Sequence, residues 1–279
     1  TMSYKYKSVQ YYKRKINVDS RVRDPIKYPN MNNFQLRLDG EDIQEVQYIK
    51  LIDAQIPKTQ YNVNETNNGF TLVDDEVEYD LEIPPCDYDL STLITTLQDL
   101  LNTSGGLNTY TVSEECNKIR IEANGFFRLF FKSGCFSDKI VKGADGTKSE
   151  ICKVKSARTV LGFGIEDYSS DANNVIMAPF VYDLSGESYI LLELETTTDL
   201  VDINTPSSSA TNDAFFKIPF TVDYNEIEYF KNDYQHMKVF NGTLRDLRFL
   251  NIRFKTFYGD FYDFNGRELA FTLEVGTLK

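Results

Sequence analysis

The clearest pattern lies near the end of the chain. Leu250, Ile252 and Phe254 alternate with Asn251, Arg253 and Lys255, and Leu269, Phe271, Leu273 and Val275 alternate with Ala270, Thr272 and Glu274. A strand sends successive side chains to opposite faces, so these runs predict two half-buried strands closing a sheet. Between them Gly259, Asp260, Asp263, Asn265 and Gly266 mark a turn. Upstream, residues 34–38 alternate as a short strand. Residues 46–56 form a longer one with apolar positions on both faces, as a central strand has. Residues 188–195 and 215–222 read as strands, and 226–230 and 237–240 as short ones. The larger domain then has about eight strands joined by long irregular loops, a pattern that suits a barrel or sandwich.

One segment departs from this plan. Residues 70–73 and 77–83 read as a hairpin turning at Asp74-Asp75-Glu76 and ended by Pro84-Pro85. Leu90, Leu93, Ile94, Leu97, Leu100 and Leu101 then recur at helical spacing. Asp87 or Asp89 suits the helix N-cap, and Ser104-Gly105-Gly106 stops it. A second hairpin (residues 110–112 and 118–122) and a strand at 126–131 follow. Residues 133–155 are polar around Gly143-Ala144-Asp145-Gly146 and read as an exposed loop. These pieces predict a small β-β-α-β-β subdomain at residues 67–164, with a helix on one face of its sheet. It is inserted between residues 31–66 and 165–279 of the larger domain.

Residues 1–30 lack core periodicity and are broken at Asp24-Pro25 and Tyr28-Pro29-Asn30. Charge sets them further apart. Residues 4–28 hold eight basic and two acidic residues, a net of +6, which leaves −18 elsewhere in a chain whose total is −12. A basic, tyrosine-rich segment on an acidic body predicts an extended arm ordered by an acidic partner surface. Its candidate contacts are Lys5, Lys7, Tyr11, Tyr12, Lys13, Arg14, Lys15, Arg21 and Arg23. On this reading, a chain without residues 2–28 still folds. The acidic body repels nucleic acid, so no specific nucleic-acid partner is expected.

Candidate chemistry is sparse. No Gly-rich phosphate loop and no Gly-x-Ser-x-Gly elbow occurs. The single histidine, His236, cannot supply a cupin-type metal site, which needs several. Cys86, Cys116, Cys135 and Cys152 lack zinc-ligand spacing and read as reduced thiols, with Cys135 and Cys152 the pair best placed for a bridge. Carboxylates at Asp74-Asp75-Glu76, at Asp87 and Asp89, and at Asp260 and Asp263 sit in turns and read as solvated. Asn64, Asn102 and Asn241 match the glycan acceptor pattern. The chain has no apolar run long enough to span a membrane, and its first residues lack the apolar core of a signal peptide. That predicts a chain used in a cytosolic setting or exported without such a signal. Eighteen tyrosines and twenty phenylalanines leave exposed aromatics as the remaining candidates. Tyr224 and Tyr229, with Asp260, Tyr262 and Asp263, are read as a contact edge. The expectation is a non-enzymatic chain with no cofactor and no metal site.

Seven pieces in one order carry a resemblance. They are Asn33-Phe34 with Leu36 and Leu38; the long strand ending at Pro57; Tyr61 with Asn67-Asn68 and Phe70; Pro85 and Tyr88 before the helix; Val160-Leu161-Gly162-Phe163; Lys217-Ile218-Pro219; and the closing hairpin from Gly259 to Val275. The chain resembles the jelly-roll minor capsid and penton proteins of large icosahedral double-stranded DNA viruses of algae and amoebae. The resemblance implies a mainly β fold, a single jelly-roll sandwich of two four-stranded sheets. It further implies no enzymatic activity and a place in the virion, with assembly in the host cytoplasm. The implied partners are the major capsid protein and other capsid proteins, through a homo-oligomer such as a pentamer or through heteromeric lattice contacts. The alternative reading is a jelly-roll spike or lectin-like module that binds host glycans.

Overall fold

The computed structural model describes residues 11–38, 43–136, 139–142, 149–152, 155–195, 214–233 and 237–278. The chain divides into two compact units, Thr1–Gln60 with Glu187–Lys279, and Tyr61–Gly186. The second is thus an insertion into the first. Its bounds, residues 61 and 186, are wider than the 67 and 164 expected, because two three-residue strands beyond residue 164 belong to it.

The first unit is built from β1 (Tyr11–Asp19), β2 (Asn33–Arg37) and β3 (Gln44–Pro57) before the insertion. After it come β13 (Tyr189–Glu195), β14 (Phe216–Pro219), β15 (Ile227–Lys231), β16 (Lys238–Asp246), β17 (Phe249–Lys255) and β18 (Ala270–Leu278). One sheet runs β1-β18-β3-β15, with β16 beside β3, and the other runs β14-β13-β17-β2, all antiparallel. The pairings β1 with β18, β2 with β17, β3 with β15 and β16, and β13 with β14 are nested, as in one long hairpin rolled onto itself. That is the jelly-roll topology. Strands β15 and β16 share one position along β3: β15 pairs Asp53 to Pro57, and β16 pairs residues between Gln44 and Ile49.

The inward faces explain the alternation. Ile190, Leu192, Ile218, Leu250, Ile252 and Phe254 meet Ile49, Leu51, Ala54, Ile56, Phe271, Leu273 and Val275 in one buried core. Each of these side chains larger than alanine contributes about 1.5–3 kcal/mol on leaving water. The central strand β3 is apolar on both parities because its register with β18 shifts twice, between Thr272 and Leu273 and between Gly276 and Thr277. Each shift leaves one extra β3 residue unpaired and flips which parity faces the core.

The N-terminal segment departs from expectation. Residues 11–19 are not a free arm. They pair with β18 over nine positions, from Tyr11 opposite Leu278 to Asp19 opposite Ala270. Val18 is fully buried. The charge run conceals the strand because Lys13 and Lys15 lie on its outer parity, while only Ile16 and Val18 mark the inner one. Lys5 and Lys7 lie outside the described residues.

The second unit contains β4 (Gly69–Asp74), β5 (Val77–Glu82), α1 (Leu90–Asn102), β6 (Tyr110–Glu115), β7 (Lys118–Ala123) and β8 (Phe127–Phe130). Next come β9 (Lys139–Lys142), β10 (Ser149–Cys152), α2 (Arg158–Leu161), β11 (Asp167–Ser169) and β12 (Val175–Met177). Its main strands form two sheets rather than one, β11-β8-β4-β5 and β12-β7-β6. Strands β9 and β10 pair as a hairpin inside the stretch expected to be loop; each is only four residues long, too short for alternation to show. The helix is as predicted. Asp89 caps it by accepting from Thr92 N at 2.8 Å, and Leu93, Leu97 and Leu101 are buried.

Candidate assembly surfaces

Every arm residue that is described sits on or beside β1. Tyr11 and Tyr12 are 41% and 55% exposed, so the strand's tip is open to solvent. Lys13 lies 3.6 Å from Glu274 of β18. Lys15 is directly opposite Glu274, and Lys50 of β3 flanks it on the other side. Lys13 thus pairs with this carboxylate, and Lys15 and Lys50 hold the register positions on either side of Glu274. Glu274 is the residue that explains the arm's placement, and its only sequence signal is an acid on the outer parity of β18.

Tyr48 completes this cluster. Its hydroxyl donates to Glu274 Oε1 at 2.9 Å, and Tyr11 meets its ring edge-on at 5.5 Å between centroids. The ring lies across Gly276, where a Cβ would sit 2.0 Å from a ring carbon. Burial, and then the bond to Glu274, push its phenol up to about 12 from an ordinary 10.0. A raised phenol favours the folded state only while protonated. Its contribution is therefore complete below pH 10.0 and is lost as pH rises through about 12. Denaturant melts across that window should show the stability difference between wild type and Tyr48→Phe shrinking as pH rises; a constant difference would contradict it.

The root of β1 is pinned more firmly than its tip. Ser20 N donates to Leu269 O at 2.9 Å, and Leu269 N donates to Ser20 Oγ at 2.9 Å. Ser20 Oγ also donates to Glu268 Oε2. Arg23 Nη1 bonds Ser20 O at 2.7 Å and Glu268 Oε2 at 2.8 Å. Arg21 turns back on Asp19 at 2.5 Å, and that side-chain hydrogen bond lowers the Asp19 carboxyl. Arg21 and Arg23 thus serve the fold locally here, Arg21 with its guanidinium still exposed.

The expected contact edge divides. Tyr229 is 70% exposed on β15, and Asp260 and Asp263 are exposed in the turn before β18. Tyr224 is half-buried. Tyr262 is fully buried and is no part of a surface. Its hydroxyl accepts from Thr59 N at 3.2 Å and Gln60 N at 3.3 Å, and burial raises its phenol well above the ordinary range. Its neighbours in sequence take the outward places: Phe257, Tyr258 and Phe261 are each about half exposed. Phe257 and Tyr258 meet edge-on at 5.1 Å, on a turn closed by Gly259 N to Thr256 O at 3.1 Å. Gly259 has φ +90°, which only a glycine adopts without strain. Sequence reading places a contact edge on this turn but names Tyr262, the buried ring, in place of Phe257, Tyr258 and Phe261, because the parity of the turn is not visible in the sequence.

In the second unit, Val73, Asp74, Asp75, Glu76, Leu107, Asn108, Phe126 and Arg128 line a cleft of about 280 Å³. Asp74 is buried there and accepts from Asn108 N at 2.9 Å, Asn108 Nδ2 at 2.7 Å and Tyr110 Oη at 3.0 Å. Three donors on one buried carboxylate make it a structural pin. The amide groups of Asn64 and Asn102 are engaged by neighbouring backbone. Cys135 carries a free, exposed thiol, so the bridge considered for it is not formed; the Cys152 side chain, like His236, lies outside the described residues. Among the described residues no three His, Cys, Asp or Glu side chains converge as a metal site would require. No helix among them is long and apolar enough to cross a membrane.

Comparison with known proteins gives three findings. The model of a protein family, described as a family of unknown function (DUF5901), matches residues 12–192. No curated protein matches the chain. Among solved structures, the chain is similar to the crystal structure of selenomethionine-labelled mavirus penton protein, with a TM-score of 0.47 and 9% identity. That alignment covers 97% of this chain and 100% of the other.

Proposed function

The chain belongs to this family of unknown function, and we propose that it is a structural protein of an icosahedral viral shell, a minor capsid or penton protein. The observation that carries the reading is a coincidence of topology and sequence order. The nested strand pairs of a jelly roll run through most of the residues on which the resemblance to capsid proteins rests: Phe34 in β2, Pro57 ending β3, Ile218 in β14 and Leu273 in β18. Jelly rolls also build lectins and cupins, so topology alone does not choose among them. The sequence resemblance favours the shell, and the exposed rings of Tyr229, Phe257, Tyr258 and Phe261 offer the kind of surface that protein contacts use. On this reading the partners are the major capsid protein and other shell proteins, the place is the virion, and the role involves no catalysis. Mass spectrometry of purified particles, followed by cryo-microscopy, tests it. The expected result is this chain at fixed copy number, with density matching the jelly-roll unit. Absence from particles would overturn it, and glycan-array binding by a chain absent from particles would favour the lectin-like alternative.

A further inference from the structure

We propose that the acidic free edge of β5 receives the basic free edge of β1 from a second copy of this chain, joining the two copies by strand pairing. The argument begins with which backbone groups point outward. Among the described residues, strand β5 ends its sheet, with β4 its sole neighbour. The β4–β5 turn, Asp75-Glu76, has φ +49° and +62°, the two positive values of the tight hairpin turn that makes Asp74 and Val77 a hydrogen-bonded pair. Ile83 N donates to Asn68 O at 2.8 Å, which fixes the same parity at the other end. Residues 77, 79, 81 and 83 therefore turn their N–H and C=O groups to β4. Those of Glu78, Asp80 and Glu82 point away from the sheet. Every outward backbone position of this edge thus carries an acid, and all three side chains are exposed on one face. Asp80 accepts from Thr71 Oγ1 at 2.7 Å and Glu82 from Lys155 Nζ at 2.6 Å.

Strand β1 is the complementary edge. Among the described residues it ends its own sheet, and Ser20 N bonded to Leu269 O fixes its parity. Residues 12, 14, 16 and 18 turn to β18, so Tyr11, Lys13, Lys15 and Asn17 offer their backbone groups outward. Lys13 and Lys15 share a face, as Glu78, Asp80 and Glu82 do. In an antiparallel pairing the outward residues of one strand lie opposite those of the other. Lys13 opposite Asp80 places Lys15 opposite Glu78, and the register shifted by one such pair places them opposite Glu82 and Asp80. Either way both lysines face acids, the cross-strand arrangement that stabilises sheets.

Charge over a longer range favours the same partner. Residues 61–186 hold twenty acids and ten bases, a net of −10, against +6 on residues 4–28. Charged residues on an edge ordinarily prevent pairing between copies. Here each edge repels its own kind and attracts the other. The contact uses two different surfaces on each copy, so it is heterologous and builds a closed ring or an open chain. It concerns self-association of the purified chain and does not depend on a shell role.

Sedimentation velocity on the full chain, over a concentration series at low and high salt, tests this. Wild type should self-associate, more weakly as salt rises. Glu78→Lys, Asp80→Lys and Glu82→Lys together should weaken association at least about tenfold, the effect of some 1.4 kcal/mol. Adding Lys13→Glu with Lys15→Glu should restore it. Glu78→Pro removes an outward donor and one edge acid without touching the β4 ladder, and should weaken association more than Glu78→Gln, which removes the charge alone, while circular dichroism reports folding of each variant. A wild type that stays monomeric, association indifferent to the β5 substitutions in folded variants, or failure of the charge swap to rescue would each overturn the proposal.

Discussion

Deleting residues 11–19 is expected to destabilise the jelly-roll unit by about 3–6 kcal/mol. The deletion removes the buried Val18 and half-buried Ile16, and breaks a nine-position ladder along β18. It also strips Glu274 of Lys13 and Lys15 while leaving Tyr48 and Lys50 beside it. Domains hold about 5–15 kcal/mol in all, so the loss is a large share. A fall of roughly 10–20 °C in the thermal midpoint follows for a unit of this size. The newly exposed β18 edge should add concentration-dependent aggregation. Thermal melts followed by circular dichroism at two protein concentrations check both effects. A deletion variant that melts with wild type and stays dispersed would restore the view of this segment as an arm awaiting a partner.

The contrast with the sequence reading has a physical cause. Alternation exposed β17 and β18 because their outer faces are polar and their inner faces uniformly apolar, from Leu250 to Phe254 and from Phe271 to Val275. The same logic should have found β1. There the inner parity runs Arg14, Ile16, Val18, and only the last is fully buried. An edge strand needs few apolar residues, and its stabilisation comes from backbone pairing and from Glu274, which lies 255 or more residues away in sequence from every residue of β1. In β3 two register shifts mix the parities, so centrality was legible from apolar residues on both faces but the register was not. Strands β11 and β12, at three residues each, lie below the length at which any periodicity can be read. Candidate surfaces were legible as composition, a basic stretch and many aromatics, but not as geometry. Which member of Phe261-Tyr262 faces out depends on one residue of register.

That single residue sets the second large effect. Tyr262→Ala is expected to cost the jelly-roll unit about 3–5 kcal/mol, the range for removing a fully buried ring. The ring packs on Phe264 at 4.9 Å and Phe220 at 5.6 Å. Phe264 in turn meets Phe254 at 5.4 Å, and Phe254 meets Phe271 at 6.0 Å, so the cavity would open beside an aromatic chain that links both sheets. Tyr262→Phe keeps the packing but leaves the amides of Thr59 and Gln60 without their acceptor, for about 1–3 kcal/mol. Asp260→Ala with Asp263→Ala changes two exposed residues of the same turn. It loses one local bond, from Asn265 N to Asp263 Oδ1 at 2.8 Å, and should stay within about 1 kcal/mol of wild type. A chain of two units need not unfold in one step, so a global midpoint is a poor gauge. Hydrogen exchange in β17 and β18 reads the affected unit directly. Protection there should fall steeply for Tyr262→Ala, modestly for Tyr262→Phe and little for the double acid variant. If the acid variant lost as much protection as Tyr262→Ala, the turn would be held by its carboxylates, and the buried tyrosine would not be its anchor.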